Sequence, residues 1–155
     1  MKRLLLCAVV TTALLALPSV AAAQSGHFVQ TQTCSDIGTQ VQCSGKVAGL
    51  GGTTFEISVV AQGTATVVCI NPGGNRAPGQ DTSVTVSGSS GPLPTPRNGQ
   101  FRYTVTSVAP GPLPATPTCP NDQWTPVITD VSFTTATITL TEDGVVSDQV
   151  TVPVS

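Results

Sequence analysis

Alternation of apolar and polar residues at every second position is the feature of this sequence that most restricts its fold. Phe55, Ile57 and Val59 alternate with Glu56 and Ser58, and the same period recurs along much of the chain. A period of two places successive side chains on opposite faces of a β-strand. Strands with one apolar and one polar face are typical of antiparallel sheets that bury only one side.

The composition supports strands and argues against helices. From residue 24 onward the chain contains 22 Thr and 18 Val, but only four Leu, two Glu and one Lys. β-branched residues favour strands, whereas the good helix formers are nearly missing. We predict strands at His27–Cys34, Thr39–Val47, Thr53–Ala61, Thr64–Ile70, Thr82–Ser87, Gln100–Val108, Pro126–Phe133, Thr135–Thr141 and Val145–Val154.

Glycine- and proline-rich stretches separate these strands, and we expect them to be loops. Asn98-Gly99 and Asp143-Gly144 stand where tight turns are expected, and each predicts a β-hairpin. Seven to nine short strands without a helix predict an all-β fold, an antiparallel two-sheet sandwich of immunoglobulin-like architecture. A barrel remains the alternative.

The first 23 residues have the pattern of a secretory signal peptide. Lys2 and Arg3 precede an apolar run from Leu4 to Leu17, and small residues follow at Ala21–Ala23. The run is shorter than the roughly 20 residues that a helix needs to span a bilayer. We therefore expect cleavage after Ala23, a single domain at 24–155, and no membrane span in the mature chain.

Four cysteines remain after this cleavage, because Cys7 lies inside the apolar run. An even number of cysteines in an exported chain predicts disulfides. Cys34 and Cys43 flank a turn-like stretch, so we expect them to bridge a hairpin, which leaves Cys69 and Cys119 for each other. A metal site is the weaker reading, since no Cys-x-x-Cys spacing occurs.

Charge and motifs argue against several classes of function. The mature chain carries four basic and eight acidic residues, and the basic ones are scattered, which argues against a nucleic-acid partner. His27 is the only histidine and lies near the mature N-terminus, where a catalytic base is not expected. Acidic pairs such as Glu142 and Asp143 lack the spacing of a calcium loop. We expect no catalytic residue, no metal and no cofactor.

A Cys69–Cys119 disulfide would bring two asparagine-containing loops together at one end of the sandwich. Amides, a carboxylate, a guanidinium and an indole are a mixture that sugar-binding surfaces use. Structural turns with a tryptophan plug explain the same residues. The candidate ligand-binding residues are Asn71, Asn75, Arg76, Asn121, Asp122 and Trp124.

The strands are poor in the charged residues that normally protect sheet edges. Strands without Lys or Glu can pair with another chain. The end strands Phe28–Thr33 and Val150–Val154 are therefore candidates for strand addition in self-association.

Several short strings resemble a group of small secreted bacterial β-rich proteins without an assigned activity. They are Cys43-Ser44-Gly45, Gly49-Leu50-Gly51, Cys69-Ile70-Asn71-Pro72-Gly73-Gly74-Asn75-Arg76-Ala77-Pro78-Gly79-Gln80 and Cys119-Pro120-Asn121 with Trp124-Thr125. The resemblance covers nearly the whole mature chain. It implies an exported bacterial β protein and no catalytic or binding residue.

The sequence thus predicts a secreted protein with a structural or interaction role and no enzymatic activity. The alternative is a carbohydrate-binding module that uses the Trp124 end. The partner is an extracellular protein or a glycan, and retention in the periplasm or at the cell surface is open.

Overall fold

The computed structural model describes residues 25–155, so the predicted signal peptide at 1–23 lies outside the described residues. Strands are the dominant secondary structure of this part of the chain, which also contains one irregular helical turn. The elements are β1 (His27–Asp36), β2 (Val41–Ala48), β3 (Thr54–Ile70), β4 (Arg76–Pro78), β5 (Thr82–Ser89), β6 (Leu93–Pro94), β7 (Phe101–Thr106), α1 (Ala115–Thr118), β8 (Thr125–Glu142) and β9 (Val145–Pro153).

The strands form two antiparallel sheets. The smaller sheet has the order β1-β2-β7, and the larger has the order β9-β8-β3, with β4, β5 and β6 pairing in turn along the other side of β3. We label the seven main strands A to G in chain order: β1, β2, β3, β5, β7, β8 and β9. The smaller sheet then has the order A-B-E and the larger sheet the order G-F-C, with β5 (strand D) beside strand C. These are the strand neighbours of an immunoglobulin-like sandwich. The predicted two-sheet sandwich is therefore confirmed.

The alternating pattern of the sequence is the pattern of burial. Phe55, Ile57 and Val59 of β3 are buried, and Ile138 and Leu140 of β8 are buried beside them. Aromatic side chains fill the space between the sheets in edge-to-face pairs, Phe55 with Phe101 at 5.0 Å and Phe28 with Tyr103 at 6.1 Å between ring centroids. Such pairs add to the stabilisation that burial of their apolar area provides.

The central strands are longer than predicted. Two strand breaks were predicted, at Gln62–Gly63 and at Thr134. Both positions lie at the same β-bulge, where the β3–β8 register shifts but both strands continue. A bulge inserts an unpaired residue and bends the strand without ending the ladder. Local turn residues suggested a break, whereas pairing on both sides of β3 keeps it continuous.

Some predicted loops contain short elements. The strands β4 and β6 lie in stretches expected to be loops, and α1 lies in the proline-rich stretch between β7 and β8. The hairpin predicted at Asn98-Gly99 is wrong. A turn does form there, with the N–H of Gly99 donating to Pro96 O at 2.8 Å, but the strands on either side pair in different sheets.

The hairpin predicted at Asp143-Gly144 is confirmed. These two residues connect β8 to β9, with φ values of 46° and 83°. Asparagine, aspartate and glycine tolerate such positive φ angles, which let a two-residue turn match the twist of its strands.

Both predicted disulfides are present. Cys34 lies opposite Cys43 in the β1–β2 ladder with a Cα–Cα distance of 4.1 Å, and Cys69 is bonded to Cys119 with a Cα–Cα distance of 5.8 Å. Two disulfides fit a protein of an oxidising, non-cytoplasmic compartment. Within residues 25–155, no helix has the length and hydrophobicity that a membrane span requires.

We predict that the second disulfide contributes more to stability than the first. The bridges span 50 and 9 positions of sequence, and the loss of loop entropy in the unfolded chain is greater for the longer loop. Replacing Cys69 and Cys119 by Ala should lower the free energy of unfolding by about 4 kcal/mol, against about 2.7 kcal/mol for Cys34 and Cys43. Urea denaturation measures both. Equal losses, or free thiols in the exported protein, would contradict the account.

Candidate functional site

The second disulfide fixes two loops at one end of the larger sheet, which we call the disulfide end. Ile70, the last residue of β3, pairs with Arg76 of β4 on one side and with Thr125 of β8 on the other. Asn71 and Trp124 are the chain neighbours of these paired residues. The two asparagine-containing loops therefore leave the sheet at the same end.

Several polar groups at the disulfide end hold their own loops. Asn71 Oδ1 accepts the N–H of Asn75 at 2.9 Å, and Asn121 Oδ1 accepts the N–H two residues further on at 3.0 Å. The carboxylate of Asp122 accepts a hydrogen bond from the hydroxyl of Thr116. These oxygens do the local work of turn formation that Asn and Asp side chains commonly do.

Most of the predicted residues at the disulfide end are exposed to solvent. No ion pair joins Arg76 to Asp122 in residues 25–155. A ligand would meet the Arg76 guanidinium, asparagine amide groups and part of the indole. Four of the six predicted residues are exposed, and two are half-buried: Asn75, Arg76, Asn121 and Asp122, then Asn71 and Trp124.

At the opposite end of β8, the carboxylate of Glu142 is fully buried and surrounded by hydrogen-bond donors. Its Oε1 accepts the N–H groups of Gly51 at 2.8 Å and Gly52 at 3.2 Å. Its Oε2 accepts the N–H of Gly26 at 2.9 Å and the hydroxyl of Ser147 at 2.7 Å. Burial by itself would raise the pKa of Glu142, but the bonds from Ser147 and the three glycines outweigh burial and lower that pKa.

Asp143, the next residue, binds the same segment from outside. Its carboxylate accepts the N–H groups of Thr53 and Thr54 at 2.8–3.0 Å, and these bonds lower the pKa of Asp143. Glu142 and Asp143 together attach the β2–β3 loop, the start of β1 and the β8–β9 hairpin to one another. These two carboxylates have a structural role in the sandwich.

His27 and the acidic side chains of the described residues form no cluster that could hold a metal ion. The exposed ring of His27 lies with Nδ1 2.9 Å from Ser25 O, at the start of the described chain. Among residues 25–155, no group of three or more His, Cys, Asp or Glu side chains is placed to hold a metal ion.

The edge strands β1 and β9 face each other along one side of the sandwich, and we call this side the seam. They run parallel and meet at two points. The N–H of Phe28 donates to Asp148 Oδ2 at 2.8 Å, while Cys34 forms a parallel bridge with Val154, beside which the N–H of Ser155 donates to Cys34 O at 3.1 Å. Both junctions join residues 120 positions apart, so the strands are in register at both ends.

Between the junctions the seam opens into a groove. The groove has a volume of about 610 Å³ and is bounded by residues 28–34 of β1 and 148–155 of the C-terminal segment. Phe28, Val150 and Val152 give it an apolar floor. Asp148 is its only charged lining residue, and its two oxygens already accept the N–H groups of Phe28 and Gln149, each at 2.8 Å.

A bulge in β1 accounts for the opening. Val29 and Thr33 pair with Lys46 and Ser44, so three residues, 30–32, lie opposite the single Gly45. Such an insertion bends an edge strand and interrupts its ladder. Between its two junctions, β1 therefore does not continue to pair with β9.

The side chain of Gln32 replaces the missing ladder in the bulge. It is 7% exposed; its Nε2 donates to Val29 O at 3.0 Å, and its Oε1 accepts the hydroxyl of Tyr103 at 2.7 Å. A Cβ at Gly45 would overlap this amide, so a larger residue there would have to displace the Gln32 side chain from its hydrogen bonds. Tyr103 is itself buried, and this burial raises the pKa of its hydroxyl.

Sequence reasoning missed Glu142 and Gln32 as buried polar anchors. For Glu142 a signal existed, because it has the same parity along β8 as the buried Ile138 and Leu140. For Gln32 a similar signal existed, because it has the same parity along β1 as the buried Cys34, but the bulge that its amide stabilises depends on the partner strand.

Comparisons with known proteins add no relative. No protein-family model, curated protein or solved structure matches this chain. The resemblance to small secreted bacterial proteins therefore stays a prediction.

We predict that Glu142→Gln destabilises the sandwich and that its free energy of unfolding falls less between neutral and acidic pH than that of the wild type. Gln cannot accept from donors on both sides, so the free energy of unfolding should fall by about 2–3 kcal/mol. Because the folded pKa lies below the ordinary value of 4.5, the contribution of Glu142 is present above that pH and is lost as the pH falls through the folded pKa.

Urea denaturation of both proteins at neutral and acidic pH tests this. Glu56→Gln is the control, because Glu56 is partly exposed and, within the described chain, its carboxylate accepts one bond, from the Ser89 hydroxyl. The control should change stability by no more than about 0.5 kcal/mol. An unchanged acid response in Glu142→Gln would contradict the role of the carboxylate.

Proposed function

We propose that the chain is an exported bacterial protein with a structural or interaction role outside the cell, and that it contacts other polypeptides at the seam. The observation that supports this most is the apolar groove between two edge strands. An extended or hairpin segment could bury apolar side chains there and use backbone groups of the edge. The role is non-catalytic.

The opposite side of the sandwich is less suited to such contacts. There the N–H of Val108 donates to Ser87 O at 2.9 Å, which joins the two sheets. At the seam, within the described chain, β1 joins the C-terminal segment near residue 28 and at residues 34–36. The bulge makes β1 a poor template for strand addition, so β9 is the strand that an incoming chain would extend.

Export is supported by the sequence pattern of residues 1–23 and by the two disulfides. Bacterial origin rests on the resemblance alone. These parts of the proposal agree with one another, because disulfides form outside the cytosol.

We predict that a charge in the groove separates the exported protein from its partners. Thr31 is exposed and lines the groove, so Thr31→Lys places an ammonium group against the apolar floor. Thr85→Lys, on exposed β5, is the matched control. Native size measurements on the exported protein should show wild type and Thr85→Lys in species larger than the monomer, and Thr31→Lys mainly as monomer. Wild type found only as monomer would contradict the proposal.

A carbohydrate-binding module remains the second candidate, because one disulfide and one pairing register bring the asparagine loops and the half-buried Trp124 to the same end. Aromatic faces bind the C–H surfaces of sugar rings. If this candidate holds, wild type binds oligosaccharides on a glycan array, and Trp124→Ala loses that binding while Gln123→Ala keeps it. Absence of binding by the oxidised wild type would dismiss this candidate.

A further inference from the structure

The β8–β9 hairpin presents two adjacent valines to solvent. Val145 is 57% exposed and Val146 is 60% exposed. The hairpin is held firmly, because Asp143 and Glu142 fix its turn to the β2–β3 loop. An apolar pair on a fixed hairpin is a surface suited to burial against another molecule.

These valines lie on the same strand as the groove. From Val146 to Val152 the strand advances by six residues, which is about 20 Å at 3.3 Å per residue. The hairpin tip and the groove are therefore two neighbouring patches along one edge, one projecting and the other recessed.

Part of the outer edge of β9 has backbone groups available for pairing. Hydrogen bonds in an antiparallel ladder alternate, and the N–H of Val154 donates to Thr134 O on β8. Val152 and Val150 therefore also face β8, while Thr151 and Gln149 face away from it. The N–H of Gln149 donates to Asp148 Oδ1 at 2.8 Å, and the alternation directs the N–H of Thr151 towards the open edge. Pro153 has no N–H, which limits pairing to the residues before it.

We propose that the seam takes a second copy of this chain, with the β9 strands of the two copies side by side and antiparallel across a two-fold axis near Val150. This proposal rests on the proposed function and specifies its partner. An antiparallel arrangement about this axis places Val146 and Val145 of each copy opposite Val154 and Ser155 of the other, at the end of the groove that Ser155 lines. Thr151 of each copy pairs with the Gln149 region of its partner, so the two larger sheets form one continuous sheet.

Charge is compatible with this two-fold arrangement. The edge from Val145 to Pro153 contains one charged residue, Asp148. With the axis near Val150, the two Asp148 residues are four residue positions apart, which is about 13 Å. This distance exceeds the Debye length of about 8 Å at physiological salt, so their repulsion is screened. A two-fold interface closes on itself and yields a dimer rather than an open fibre.

The test is sedimentation equilibrium of the exported, oxidised protein over a wide range of concentration, with amide hydrogen exchange of Thr151. Wild type should form a dimer in which exchange of the Thr151 amide slows as concentration rises. Val146→Lys should weaken dimerisation at least tenfold and abolish this concentration dependence. Val108→Lys is the matched control, because Val108 is 65% exposed and lies on the opposite side of the sandwich. This variant should dimerise as the wild type does.

Circular dichroism and thermal melting serve as the control that both variants are folded. A wild type that is monomeric at all concentrations, a Val146→Lys variant that dimerises normally, or a Thr151 amide that exchanges independently of concentration overturns the inference. Another result would separate this inference from the proposed function. If Thr31→Lys still releases the exported protein from larger species while purified wild type is monomeric, the seam binds another polypeptide and only the second copy is excluded.

Discussion

The pairing of β3 with β8 is the constraint on which the rest of the structure depends. The two strands are hydrogen-bonded from Phe55 opposite Glu142 to Ile70 opposite Thr125. One end of this ladder places Glu142 beside the β2–β3 loop, where glycine N–H groups surround its carboxylate. The other end brings the loop that contains Cys119 back to β3. If one of these strands slipped by one residue, its buried side chains would move to the solvent face.

The two ends of the sandwich are held by different chemistry. At the hairpin end a buried carboxylate satisfies four donors, and its charge is tolerated because hydrogen bonds replace its hydration. At the disulfide end a covalent bond performs the same task, and side-chain oxygens of Asn71 and Asn121 close the turns. Both ends are therefore fixed, and the seam is the side where the described sandwich is held only at two junctions. The proposed contacts of the protein follow from this difference.

The fold was predictable from local patterns because alternation and turn residues act over short distances. The parity of Phe55, Ile57 and Val59 gave the buried face of β3, and Asp143-Gly144 gave the last hairpin. The turn at Asn98-Gly99 also formed, but its flanking strands joined different sheets. A turn residue sets the local backbone angle and does not choose the partner strand. For the same reason the residues at Gln62–Gly63 suggested a break where the ladder carries a bulge.

The sequence by itself determined the strand content, the two disulfide pairs and the single-sided burial, since each depends on residue type and spacing. The tertiary structure decided where the polar residues went. Gln32 became a buried anchor because three residues of β1 face one of β2, and Glu142 became a buried anion because the β2–β3 loop passes over it. It also decided that β1 and β9 meet at two points and separate between them. Strand order and register bring distant segments together, and the spacing of residues within each segment does not encode them.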